Sequence, residues 1–119
     1  MLKLDDIKKN NDLLNAIDWD MTPEEAVRLY LEWGNNWARG NYVIRSSSDI
    51  SHYFVVNTWK ENPVIQFIRR NSEDATELGK IEMPGDLQKR FLESVGHNKG
   101  VYSIEGEVRT WLKDQLGEA

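Results

Sequence analysis

The stretch His52-Tyr53-Phe54-Val55-Val56-Asn57-Thr58-Trp59, followed by Lys60-Glu61-Asn62-Pro63 and then Val64-Ile65-Gln66-Phe67-Ile68-Arg69, decides the fold. Both flanks are rich in β-branched and aromatic side chains, which suit a pleated, half-buried backbone. The segment between them is polar and ends in proline, so the two runs predict an antiparallel hairpin. Tyr42-Val43-Ile44-Arg45 before it and Leu78-Gly79-Lys80-Ile81-Glu82-Met83 after it predict neighbouring strands, with Ser46-Ser47-Ser48-Asp49 as a connecting loop. The middle of the chain therefore reads as a three- or four-stranded antiparallel meander.

The two central runs lack one clean polar face. Tyr53, Val55 and Trp59 alternate with Phe54 and Val56, and Val64 and Ile68 alternate with Ile65 and Phe67. An antiparallel sheet with one wet face alternates more sharply than this. Both faces need a cover, because large apolar patches seldom stay bare. Helices of the same chain, a second copy or another protein, and a flat ligand are the three candidate covers.

Outward from the sheet the period changes to that of helices. Thr22-Pro23-Glu24-Glu25 is a helix start, with Thr22 as cap, Pro23 at the first helical position and Glu25 closing a capping box. Ala26, Val27, Tyr30, Leu31, Trp33 and Trp37 then share a broad apolar arc, and Gly40 suits the stop. Residues 4–17 read as a weaker helix interrupted by Asn10-Asn11. After the sheet, Leu87, Phe91, Leu92 and Val95 mark one helix ending at Gly96. Ser103 is read as the cap of a last helix, in which Ile104, Val108, Trp111, Leu112 and Gln115 share a face. The expected architecture is α+β: helix–helix, meander, helix–helix, in one domain over residues 1–119, with 1–20 as a loosely packed N-terminal helix and linker.

Composition sets further bounds. The chain has 119 residues, 15 basic against 20 acidic side chains, a net charge of −5, and no cysteine. These counts exclude a disulfide scaffold, a cysteine nucleophile and a cysteine-ligated metal centre, and they argue against double-stranded DNA. Five tryptophans suit a well-filled core. No apolar run approaches signal-peptide or membrane-spanning length, so a soluble, cytoplasmic protein without membrane contact is expected.

Charge is segregated along the chain. Residues 1–38 carry 4 basic and 8 acidic side chains, 39–72 carry 5 and 2, and 73–119 carry 6 and 10. The basic middle holds Arg39, Arg45, Arg69 and Arg70 together with Tyr42, Tyr53 and Trp59. Such a set either pairs with carboxylates of the flanking helices or binds an anion or single-stranded nucleic acid by stacking and phosphate pairing. The segment Gly96-His97-Asn98-Lys99-Gly100, ahead of Ser103, is the most site-like loop, combining glycines with exposed-type polar groups. The candidate ligand residues are therefore Arg45, Tyr53, Trp59, Arg69, Arg70, His97, Asn98, Lys99 and Ser103.

No catalytic pattern accompanies them. His52 and His97 belong to no metal-ligand spacing, and Asp18-Trp19-Asp20 brackets an indole without a second acidic pair. Catalysis would have to rest on His97, Lys99 or the Asp18/Asp20 pair, and no cofactor is implied. Two functions follow as expectations. The first is a small accessory domain acting by protein–protein contact, with an unknown protein partner or with a second copy as a homodimer. The second is a binding domain for an anionic small molecule or single-stranded nucleic acid, using the basic aromatic sheet and the 96–103 loop.

Overall fold

The computed structural model describes residues 1–27, 50–59, 62–71 and 75–117. The hairpin forms as expected, β1 running from Ile50 to Asn57 and β2 from Val64 to Asn71, in a register that sets Tyr53 opposite Ile68 and Phe54 opposite Phe67. β3, Ala75–Glu82, continues the meander and starts earlier than its apolar residues suggest. An irregularity between Phe67 and Ile68 shifts the β2–β3 register, so Phe67 faces Gly79 while Ile68 faces Glu77. The expected strand at 42–45 lies outside the described residues.

Among the described residues, five helical segments lie before and after the meander in sequence. Residues 4–17 hold two short helices, α1 (Leu4–Lys8) and α2 (Asn11–Ala16). Asn10 divides them for a physical reason. Its side chain accepts the Leu13 N–H at 3.1 Å and so starts a new helix, as asparagine does at caps. At α3, described over residues 23–27, both halves of the capping box are present: Glu25 N–H donates to Thr22 Oγ1 at 3.2 Å, and Thr22 N–H donates to Glu25 Oε1 at 3.1 Å. The remainder of that helical pattern, with Trp33 and Trp37, lies outside the described residues. α4 spans Gly85–Ser94 and α5 spans Gly106–Gln115.

One expectation fails between these last two helices. Ser103 caps nothing, because Val101–Ser103 is a strand, β4, paired antiparallel with β1 so that Ser103 faces Val55. Val101 and Ser103 are buried, and burial against the β1 edge outweighs serine's capping preference. The chain turns through Ile104 and Glu105, Gly106 takes a φ of +58°, and α5 begins there without a side-chain cap. The sheet order is β3-β2-β1-β4.

Both sheet faces are buried. Phe54, Val56, Ile65, Phe67 and Ile81 form one face, and Leu87, Val108, Leu112, Ile7 and Ile17 from the helices pack onto it. Phe54 and Phe67 stack with ring centroids 4.7 Å apart, and Trp19 stacks on Phe54 at 5.5 Å with the Lys113 ammonium over its ring. Trp19 therefore belongs with the core, which settles the aspartate-bracketed indole as a packing element. Tyr53, Val55, Ile68 and Val101 make the opposite face, joined by Met21 and Ala26 at the start of α3. The N-terminal segment is stitched on by backbone: Leu2 N–H donates to Leu78 O at 2.8 Å, and Asp18 N–H donates to His52 O at 2.8 Å. The radius of gyration is 13.7 Å, matching the roughly 13.5 Å of a compact chain of this length. Among the described residues, no helix is long and apolar enough to cross a membrane.

Candidate functional site

Two places combine accessible surface with defined geometry. The larger is a groove where α4, β4 and the start of α5 meet the start of α3. α4 is anchored at its first turn by Gln88, whose Nε2 donates to Met83 O at 2.7 Å. Its period then points Leu87 into the core and leaves Phe91 half-buried, edge-on to Tyr102 of β4 at 5.5 Å and 78°. The result is a groove of about 590 Å³ whose apolar wall comes from Pro23, Val27, Phe91, Val95, Tyr102 and Val108. Val27, placed on the apolar arc by its spacing, is 49% exposed here.

Several of the groove's polar groups are engaged with one another or with their own backbone. Arg90 donates through Nε to Glu107 Oε1 at 2.6 Å and approaches the same oxygen through Nη2 at 2.5 Å. This bonding to Glu107 raises the Arg90 pKa and fixes its charge. Ser94 Oγ donates to Phe91 O at 2.6 Å, within its own helix. Ser103 is buried at the groove's base.

The second place is the end of the β1–β4 pair. Thr58 N–H donates to Gly100 O at 2.9 Å, extending the pairing one step past the strands. The Thr58 hydroxyl, itself buried, accepts from Gly100 N–H at 2.9 Å and donates to Asn98 O at 3.0 Å. Tyr102 adds a hydroxyl bond to the same Asn98 carbonyl at 2.8 Å. The turn between α4 and β4 is thus held from several sides, with His97 at a φ of +57°. The side chains of His97, Asn98 and Lys99 are exposed around it.

The sequence-derived residues divide between regions. Thr58, next to Trp59 in the chain, is bonded to Asn98 and Gly100 on either side of Lys99, and His97 lies in the same turn. Tyr53 is 1% and Arg70 is 2% exposed, both inside the face that carries Ile68. Arg69 is exposed but lies opposite His52, near the far end of β1, roughly 23 Å of strand from Trp59. Adjacent strand residues point to opposite faces, so Arg69 and Arg70 cannot act together on one ligand. Arg39, Tyr42 and Arg45 lie outside the described residues. Asp18 and Asp20 do structural work: Asp18 Oδ1 accepts the Asp20 N–H at 2.8 Å, and Asp20 stands 3.6 Å from Arg109. Among the described residues, no three histidine, aspartate or glutamate side chains converge on a point that could hold a metal ion.

Sequence reasoning missed Thr58 and the groove wall. Thr58 reads as one more β-branched strand residue, and its partners are 40 and 42 positions away. The groove exists only because β4 lies between α4 and α5, and that strand was not foreseen. Compared with protein-family models, curated proteins and solved structures, the chain matches none of them.

Proposed function

We propose that this chain is an interaction domain that receives an apolar segment of a partner protein in the groove between α4, β4 and α5. The observation carrying the reading is the groove's makeup. Its wall is Val27, Phe91, Val95, Tyr102 and Val108, while Arg90 and Glu107 spend their hydrogen bonds on each other at the rim. Such a surface supplies packing area and a polar border, the makeup of a contact that anchors apolar side chains. The expectation of protein–protein contact is kept, and its location moves from the sheet face to this groove, since both faces of the sheet are filled. The partner is another protein or a second copy of the chain.

The test uses Val27→Glu and Val95→Glu in the full chain, with Lys8→Glu on α1 as a control away from the groove. Light scattering reports self-association, and recovery from native lysate reports another partner. The complex is expected to be lost in both groove variants and kept in the control. A wild-type chain that is strictly monomeric and recovers no specific partner, or a complex that survives both groove substitutions, removes the reading.

A further inference from the structure

We propose that the segment received by the groove is an extended strand of another protein, which pairs antiparallel with the free edge of β4. This inference rests on the interaction reading above and adds the form and the end charges of the partner's segment.

The phase of the β1–β4 ladder comes first. Thr58 N–H donates to Gly100 O, and backbone groups alternate sides from one strand residue to the next. In this register Tyr102 bonds to Val56, while the N–H and C=O groups of Val101 and Ser103 point away from β1. Among the described residues no donor or acceptor meets these four groups. β4 ends the sheet on this side. An unpaired strand edge is a template for one more strand.

The walls come second. Met21 and Ala26 hold the start of α3 on the face that carries Val101. Leu87 of α4 and Val108 of α5 pack on the opposite face, with Tyr102. The groove is lined by residues of both layers and by Val101, Tyr102 and Ser103, so it follows the strand edge. Side chains of an added strand alternate between the two layers. One meets Phe91, Tyr102 and Val108, and its neighbours meet Pro23 and Val27. Val101 and Ser103 are 7% and 6% exposed, so the edge is recessed between these walls. A single extended chain enters such a slot, whereas the edge of a second folded copy carries its own walls.

Charge is the third element. Lys99 lies just before β4 and Glu105 just after it. Both are exposed, and neither has an ion-pair partner among the described residues. An antiparallel strand that starts on a basic residue and ends on an acidic one sets each beside its opposite.

The experiment titrates isotope-labelled full chain with the acetylated, amidated peptide Lys-Thr-Val-Ile-Val-Thr-Glu. Its valines face Ser103 and Val101, and its isoleucine faces Tyr102. Binding is expected to slow hydrogen exchange at the Val101 and Ser103 amides. N-methylation of both valines, whose N–H groups face β4, should weaken binding by about tenfold or more. N-methylation of the isoleucine, whose N–H faces away, should change it by less than about threefold. Exchanging the terminal lysine and glutamate should weaken it by about twofold to fivefold. Unchanged exchange at Val101 and Ser103, or equal weakening by the two kinds of N-methylation, overturns the strand. Tighter binding of the charge-exchanged peptide overturns the antiparallel direction. Self-association that the peptide displaces overturns the assignment to another protein in favour of a second copy. A groove-dependent complex from native lysate beside a peptide that fails these tests removes the strand alone. Absence of any groove-dependent complex removes the interaction reading and the strand with it.

Discussion

His52 stands half-buried with its ring 5.8 Å from that of Phe67 and with Arg69 opposite it across the ladder. Burial, and then the Arg69 charge, hold its pKa below the ordinary imidazole value of 6.5. The folded protein therefore binds fewer protons than the unfolded chain once pH falls below that value. Stability is fully present above it and declines as pH drops toward the lowered folded value. Urea unfolding at about pH 7.5 and about pH 5.5 should show wild type losing more stability than His52→Gln over the same interval. Equal losses in the two proteins would mean that this imidazole is as easily protonated in the fold as in water. The sequence placed His52 at the head of a strand and in no metal-ligand spacing. It could not show that Asp18 closes over its carbonyl or that Arg69 stands across from it, because both neighbours are set by pairing between distant segments.

At the scale of elements, legibility followed the length of the local signal. The hairpin and the start of α3 were readable because eight strand residues and a complete capping box each carry their own pattern. β4 was not readable: Val-Tyr-Ser is too short to show a period, and only the β1 edge makes it a strand. The N-terminal segment shows the same dependence at Gly79. Leu2 pairs there in parallel, and a Cβ on Gly79 would run into the Leu2 carbonyl oxygen. Glycine is thus required by the close approach of another backbone. Gly79→Ala should lift this segment from β3, with loss of hydrogen-exchange protection at the Leu2 amide and a stability cost of about 1–3 kcal/mol. A Leu2 amide that stays protected at unchanged stability would show that β3 accommodates the methyl group.

For the molecule as a whole, the question raised by the hairpin was what covers the second face of the sheet. On the described residues, Ile68 is fully buried, Tyr53 and Val55 are 1% exposed, and Met21 and Ala26 pack with them. The face that suggested a partner is therefore part of a two-layered interior, and the groove beside α4 is the surface proposed above for a partner instead. This arrangement makes the two sides of β2 comparable in energy. Phe67→Ala, on the helical side, should cost about 3–5 kcal/mol, and Ile68→Ala, on the other, about 2–5 kcal/mol. Each should unfold in one cooperative transition, measured by denaturant titration of the isolated chain. A sheet waiting for a partner on its second face would respond differently, since Ile68 would already be in contact with water and its truncation would cost under about 1 kcal/mol. The ratio of the two losses therefore separates a chain that closes its own core from one that leaves half of it to another molecule.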